Sequence, residues 1–397
     1  DPLVAQRFGE RSIIQVSNLH PQVVNLTLRI GTSHSKSEVG VATALDFLYG
    51  LDGRPPVIGL IGGVFSSITL PVASLTAVLK TPHCAYAASS PQLSNKQLYP
   101  YFLRTMPPDV VQGKAMWAWI VAFRVSLMLC IYGLEPYGSG LFRVVEEESW
   151  LAGEQHRFRG VPLRNMEIFV VDEAMVALNF VRSLKARFVF LSTNVGLNEG
   201  LLPLLKREGF FDQGYQVVCS ETATNFPEFP VGFMRWKPVS EGPKFEDFRQ
   251  LWSLMRADDV LSESARAALG IDQFRVPLEE ATVPPVTDAG FLDPELGLSL
   301  YEPFLFDALY TFVIAINVLL NGGTPVEEIK GELLLNQLRR TEFEGISGSV
   351  AFDENGDRQA SYELVNLHPD GSFRVAGLFT SSLGQFSVAN GNVYWVG

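Results

Sequence analysis

Residues 57–109 read VIGLIGGVFSSITLPVASLTAVLKTPHCAYAASSPQLSNKQLYPYFLRTMPPD. The run 57–61 is short, apolar and partly β-branched, as a parallel strand buried on both faces should be. Gly62 and Gly63 then allow a sharp turn, and Ser66 and Ser67 stand where a helix begins. Free N–H groups and hydroxyls at a helix start favour a small anion such as a carboxylate. A second polar turn, Ser89-Ser90, follows the strand predicted at 84–87. Two such turns side by side at strand C-termini make a crevice in an open α/β sheet. Pro107-Pro108 leads the chain away, and Asp109 is placed to cap the next helix.

Outward from this core the chain keeps an alternating rhythm. Upstream, 23–30 reads as a strand and 1–20 as a helix with a connector. Ser35 and Glu38 suit a capping box opening a helix to Leu51. The helix after Gly63 runs over about 66–79, with Pro71 favouring a start just past Ser66. Downstream come a helix at 110–123, a strand at 125–132, a loop at 135–140 and then a helix. Strand MEIFVV (166–171), helix 172–184, strand RFVFLST, helix 198–207 and strand YQVVCS continue the pattern. Such βαβ order implies a parallel sheet with right-handed crossovers. VGFMRWKPVSEGPKFEDF reads as a second crossover, 281–294 as a surface loop, and 304–320 and 325–338 as helices. DENGDR (353–358) resembles a calcium loop only superficially: its glycine comes too early and Leu364 takes the twelfth position. Asn355-Gly356 suits a hairpin turn better.

Several of these stretches resemble the receptor-type periplasmic-binding fold (type I, Venus-flytrap), and among its members the metabotropic glutamate-type class C receptors. AYAASSPQLSNKQLYPYFLRTMPPD resembles their loop-strand-crossover segment, EPYGSG their next ligand loop, and FEGISGSVAFDENGDRQASYELVNL their closing hairpin. The similarity recurs from about Asn25 to Phe379. It implies two αβα lobes joined by three crossovers: lobe one from 1–106 and 240–343, lobe two from 107–239 and 344–397. It further implies an extracellular ligand-binding domain of a membrane receptor. Such a domain closes on a small amino-acid-like ligand and signals as a homodimer or heterodimer through lobe one. The early helices at 42–51 and 75–79 would form the dimer face. A free substrate-binding protein for amino-acid uptake and a ligand-free dimerisation subunit are the alternatives.

The resemblance places Ser66 and Ser89 at the ligand's headgroup, with Ala87 where the family has a hydroxyl, so that a backbone contact alone remains there. Tyr137 corresponds to a tyrosine over the ligand, and an aromatic face attracts an ammonium. Glu221 corresponds to an aspartate that pairs with that ammonium, although Thr222-Ala223 replaces the family's Gly-Trp. Asp109 resembles a crossover aspartate and equally suits a helix cap, and Asn194 is a lining candidate. Tyr301 replaces a lysine that meets a distal carboxylate, and the family's first strand and arginine-bearing loop do not read from residues 1–20. A neutral amino acid or small polar relative is therefore expected rather than glutamate.

Composition narrows the classes. With 397 residues, 47% hydrophobic and 19% charged, the chain can build sizeable cores in two or three domains. A net charge of −12 argues against a nucleic-acid partner. Cys84, Cys130 and Cys219 each sit in an apolar run and suit buried thiols, unlike the disulfide-bearing animal class C receptors. Asn25-Leu26-Thr27 is a glycosylation triplet. No secretory leader opens the sequence, so it reads as a trimmed domain or an intracellular protein. Apolar runs at 115–134 and 304–320 read as core, interrupted by Arg124 and Asp307, so any membrane contact is expected through segments outside this chain. No nucleotide-binding GxGxxG or P-loop, zinc-protease HExxH or GxSxG elbow occurs, and neither an enzyme, a cofactor nor a metal is expected.

Overall fold

The computed structural model describes residues 28–29, 31–51, 53–164, 169–212, 214–223, 226–254, 300–389 and 393–396. The expectations for 1–20, Asn25 and 281–294, and all but two residues of 23–30, lie outside them.

The chain begins with α1 (Ser37–Tyr49), β1 (Leu60–Ile61), α2 (Ser66–Val78), β2 (His83–Ala85) and β3 (Phe102–Arg104). These three strands form one parallel sheet in the order β1-β2-β3. Side chains alternate across it. Cys84 and Leu103 face the long helix α8 (Glu302–Asn321), whereas Ala85 and Phe102 pack with Ala73 of α2. The helix α8 is long and apolar enough to cross a membrane by length and composition, yet Ala308, Phe312, Ala315 and Ile316 are buried against the sheet.

A larger sheet follows, built from β4 (Met128–Gly133), β5 (Phe158–Leu163), β6 (Phe188–Ser192), β7 (Gln216–Cys219) and β8 (Met234–Pro238) with β11 (Tyr362–Leu367), β12 (Phe373–Thr380) and β13 (Gln385–Val388). The order is β13-β12-β11-β8-β7-β6-β4-β5. The strands β4 to β8 run parallel, and β11 joins β8 antiparallel. Leu129, Ile131, Val189 and Leu191 face α5 (Val171–Ser183) and α6 (Val195–Arg207). Met128, Cys130 and Phe190 face α3 (Asp109–Ala122) and α4 (Pro136–Leu151). Both sheets are thus sandwiched by helices, which gives the αβα layering expected. The chain passes between them after β3, after β8, and again after α9 (Gly331–Arg339) and the small antiparallel pair β9 (Phe343–Gly345) and β10 (Gly348–Val350). The helix α7 (Phe245–Leu254) lies in the second of these passages.

Several local expectations are corrected. EPYGSG is not a loop: Glu135 caps α4, Pro136 opens it, and Gly138 lies buried in its first turn. VGFMRWKP is not a connector but holds β8, with Met234, Trp236 and Pro238 buried. No strand runs over 169–171, because α5 already starts at Val171; β5 lies earlier, in FRGVPL. The capping box does not form, since His34 and Ser35 adopt left-handed turn conformations and Lys36 becomes the N-cap. The helix expected over 325–338 begins only at Gly331, after a short 3-10 turn.

Pro71 also fails to move the start of α2, which begins at Ser66 itself. Proline there leaves the Ser67 carbonyl without its intrahelical donor. The Ser37 hydroxyl donates to that carbonyl at 3.0 Å, so α1 repairs the gap in α2.

Candidate functional site

Where the two sheets' helices meet, a cavity of about 50 Å3 is lined by Ser66, Ala87, Ser89, Tyr137, Asn194, Glu221 and Tyr301. Seven of the eight residues named from sequence therefore share one hollow. The eighth, Asp109, is buried beside it. A larger space of about 1160 Å3 lies between α1, α2 and α8, but its lining is mostly apolar. Polar groups converge at the smaller one, which is what a specific site requires.

The wall from the small sheet is built by turns. Gly62 (φ 153°) and Gly63 (φ 93°) bring the chain off β1, and a Cβ on Gly63 would strike the Thr69 side chain. Phe65, the N-cap of α2, offers no side-chain cap. The Ser90 N–H donates to Ser66 Oγ at 3.2 Å and ties the second turn to the first. Across the hollow, α4 and α6 also start at the cavity, but these ends are closed. Glu135 accepts from the N–H groups of Tyr137 (2.6 Å) and Gly138 (2.9 Å), and Asn194 accepts from Leu197 N–H at 2.9 Å. The starts of α4 and α6 thus carry a side-chain acceptor, and that of α2 does not.

The opposite wall is acidic. The Tyr137 hydroxyl donates to Glu221 Oε2 at 2.8 Å, and Gln112 Nε2 donates to the same oxygen. Gln112 Nε2 also reaches Asp109 Oδ1 at 3.4 Å, while Asp109 Oδ2 and Gln112 Oε1 are buried with no hydrogen-bond partner. Asp109 is therefore not the helix cap expected. It is the first residue of α3, and its own N–H donates to Ser89 O at 2.8 Å. Burial pushes the carboxyls of Asp109 and Glu221 above the usual carboxylate range, and Glu221 raises Asp109 further. Burial likewise pushes Glu135 up to about 7, against the pull of the Gly138 and Tyr137 amides. Tyr301 and Tyr137 are also pushed up, by burial first and then by these acids.

The two walls touch directly. Ser90 Oγ donates to Pro136 O at 3.1 Å, and a Cβ on Gly140 would come within 2.8 Å of Pro91 Cδ. Three contributors were not foreseen. Glu135 was legible in the Glu-Pro pair, a cap followed by proline at the first helical position. Gln112 and Arg104, whose Nη1 donates to the Ala88 and Ser90 carbonyls on either side of Ser89, gave no such signal. No group of three or more potential metal ligands occurs among the described residues.

A family model described as the receptor family ligand-binding region matches residues 5–370. The chain belongs to this family. Its ligand-binding region has the type I periplasmic-binding fold, and it is of the class C receptor kind. The metabotropic glutamate receptor-like protein E of Dictyostelium discoideum is 24% identical over 367 residues, which cover 85% of this chain and 39% of that protein. The chain thus spans about two fifths of the length of that curated relative.

Proposed function

We propose that this region of a membrane receptor binds a small, neutral α-amino acid or a close relative, as an extracellular domain that closes on its ligand. The observation that carries this reading is the polarity of the cavity. The uncapped start of α2, with Ser66 and Ser89, offers hydroxyls and N–H groups to a carboxylate. Glu221 and Tyr137, backed by Asp109, offer negative charge and an aromatic ring to an ammonium. Among the described residues no arginine or lysine lines the hollow to meet a distal acid, and Val64, Phe65, Ala87 and Val195 supply apolar lining for a short side chain.

The lobes divide as 1–106 with 240–343 and 107–239 with 344–397. A ligand bridging Ser66 and Ser89 to Tyr137 and Glu221 touches both only when they are shut, so binding shifts the equilibrium towards closure. Tyr49, Leu51 and Val78, exposed at the ends of α1 and α2, mark the face through which two copies or relatives pair.

Isothermal calorimetry against the twenty standard amino acids tests this. Heat with L-alanine and similar short neutral residues, lost in Ser66→Ala and Tyr137→Phe, is the expected result. No heat with any of them from folded protein overturns the ligand and leaves a dimerisation role. Light scattering on the same sample reports the dimer, and a monomer with full binding would favour a free substrate-binding protein.

A further inference from the structure

The hexapeptide DENGDR (353–358) does not have calcium-loop spacing, yet its side chains and backbone are densely hydrogen-bonded. Asp353 Oδ1 accepts from the N–H groups of Asn355 (2.8 Å) and Asp357 (2.9 Å), with Gly356 in the left-handed conformation (φ 62°). That geometry turns Asp357 inward. Its Oδ1 accepts from Arg104 Nε at 2.7 Å, its Oδ2 accepts from Ser94 Oγ at 2.5 Å, and Arg104 N–H donates to Gly356 O at 3.0 Å.

Arg104 is fully buried, and its remaining side-chain donors are also engaged. Nη1 donates to Ala88 O at 3.2 Å and to Ser90 O at 2.9 Å, and Nη2 donates to Ser94 Oγ at 2.7 Å. The two carbonyls held by Nη1 flank Ser89 in sequence. A planar fork with five donors can hold a carboxylate and two carbonyls at once, which an ammonium cannot do in the same geometry.

The other end of the hexapeptide acts similarly. Arg358 Nη1 donates to Thr105 O at 3.2 Å and faces Asp307 Oδ2 at 3.4 Å, and both side chains are buried. Asp307 lies in the first two turns of α8, whose N-cap Tyr301 lines the cavity.

We infer that Asp357 and Arg104 are positioning residues for ligand binding: the turn that bridges to β3 before the chain reaches β11 fixes the Ser89 loop through the guanidinium that straddles it. This rests on the cleft reading given above, but the loop's order can be measured without ligand. Its reporter is the Ser90 N–H, which donates to Ser66 Oγ.

Hydrogen exchange on the whole 397-residue chain, compared among wild type, Asp357→Asn and Arg104→Lys, tests the clamp. Peptides covering residues 86–92 should exchange at least about tenfold faster in both variants, as loss of hydrogen bonds to a charged group allows. Peptides from β6 should not change. Unchanged exchange at 86–92, or an equal rise everywhere, overturns the clamp. If Asp357→Asn does not fold, Ser94→Ala keeps the ion pair and removes only the serine's two bonds. A smaller rise confined to 86–92 then supports the proposal, and none overturns it. L-alanine calorimetry on the same proteins separates the two ideas. No heat from wild type defeats the ligand reading alone. Heat from wild type with equal affinity in Arg104→Lys defeats the positioning role.

Discussion

Glu135→Gln isolates the electrostatic character of the cleft in one side chain. Burial raises the Glu135 carboxyl from 4.5 to about 7, so the folded protein holds its proton after the unfolded chain has released it. Below about pH 4.5 both states are protonated and the group is neutral in its effect. Between 4.5 and about 7 the unfolded chain ionises first, and stability falls as pH rises. Above about 7 the deficit is complete. At about 1.4 kcal/mol per pH unit, that interval amounts to about 3 kcal/mol. Glutamine is close in shape and never ionises, so the variant escapes this loss. Asp109 and Glu221 impose the same trend on both proteins and largely cancel in the difference. Urea unfolding followed by the fluorescence of buried Trp119 and Trp236 reads the gap at pH 4.5 and pH 8. The two proteins should match within about 1 kcal/mol at the lower pH, and the variant should gain about 3 kcal/mol by the higher. A gap that does not change with pH would refute the reasoning.

Two further substitutions probe the scaffold. Arg358→Met leaves Asp307 buried without its cation, although Ile346 and Ser347 N–H still donate to it, and should cost about 3–5 kcal/mol in urea unfolding. Adding Asp307→Asn should recover part of that loss, and no recovery would deny the pairing. Ser37→Ala removes the donor to the Ser67 carbonyl and should cost up to about 1 kcal/mol, visible as faster exchange in the first turns of α2. Unaltered exchange there would mean that water replaces the hydroxyl without loss.

Most of the framework was legible because buried parallel strands announce themselves. RFVFLST and YQVVCS are continuous apolar runs, and both became central strands, β6 and β7. β5 escaped notice because FRGVPL occupies the sheet edge, where a glycine, a proline and an exposed arginine are tolerated. β8 was missed because MRWKP alternates, with two charged side chains between buried ones, and looked like a linker before its partner β11, more than a hundred residues on, was known. The same non-local logic hid Arg104. In FLRT it reads as an ordinary strand-end charge. Only a carboxylate 253 positions away makes its burial affordable.

On the proposed reading, the placement of charge across the hollow selects a ligand of one kind. Two buried carboxyls, Asp109 and Glu221, face each other through Gln112, and Asp109 Oδ2 has no donor. Arg104, the cation that lowers Asp109, has its own ion pair with Asp357. Such a wall must either keep its protons or receive a positive group. The α2 start opposite it carries partial positive charge and no side-chain acceptor. A plain cation would satisfy the first wall and leave the second facing a void, and a plain anion would do the reverse. A molecule with both charges about two bonds apart satisfies both, and displaces protons from the acids as it enters. On the proposed reading its affinity therefore rises with pH across the range where the acids titrate, until the ligand's own ammonium deprotonates. A profile in L-alanine calorimetry that stays flat from acid conditions up to the pH at which the ligand's own ammonium deprotonates would show that the acids do not meet the ligand.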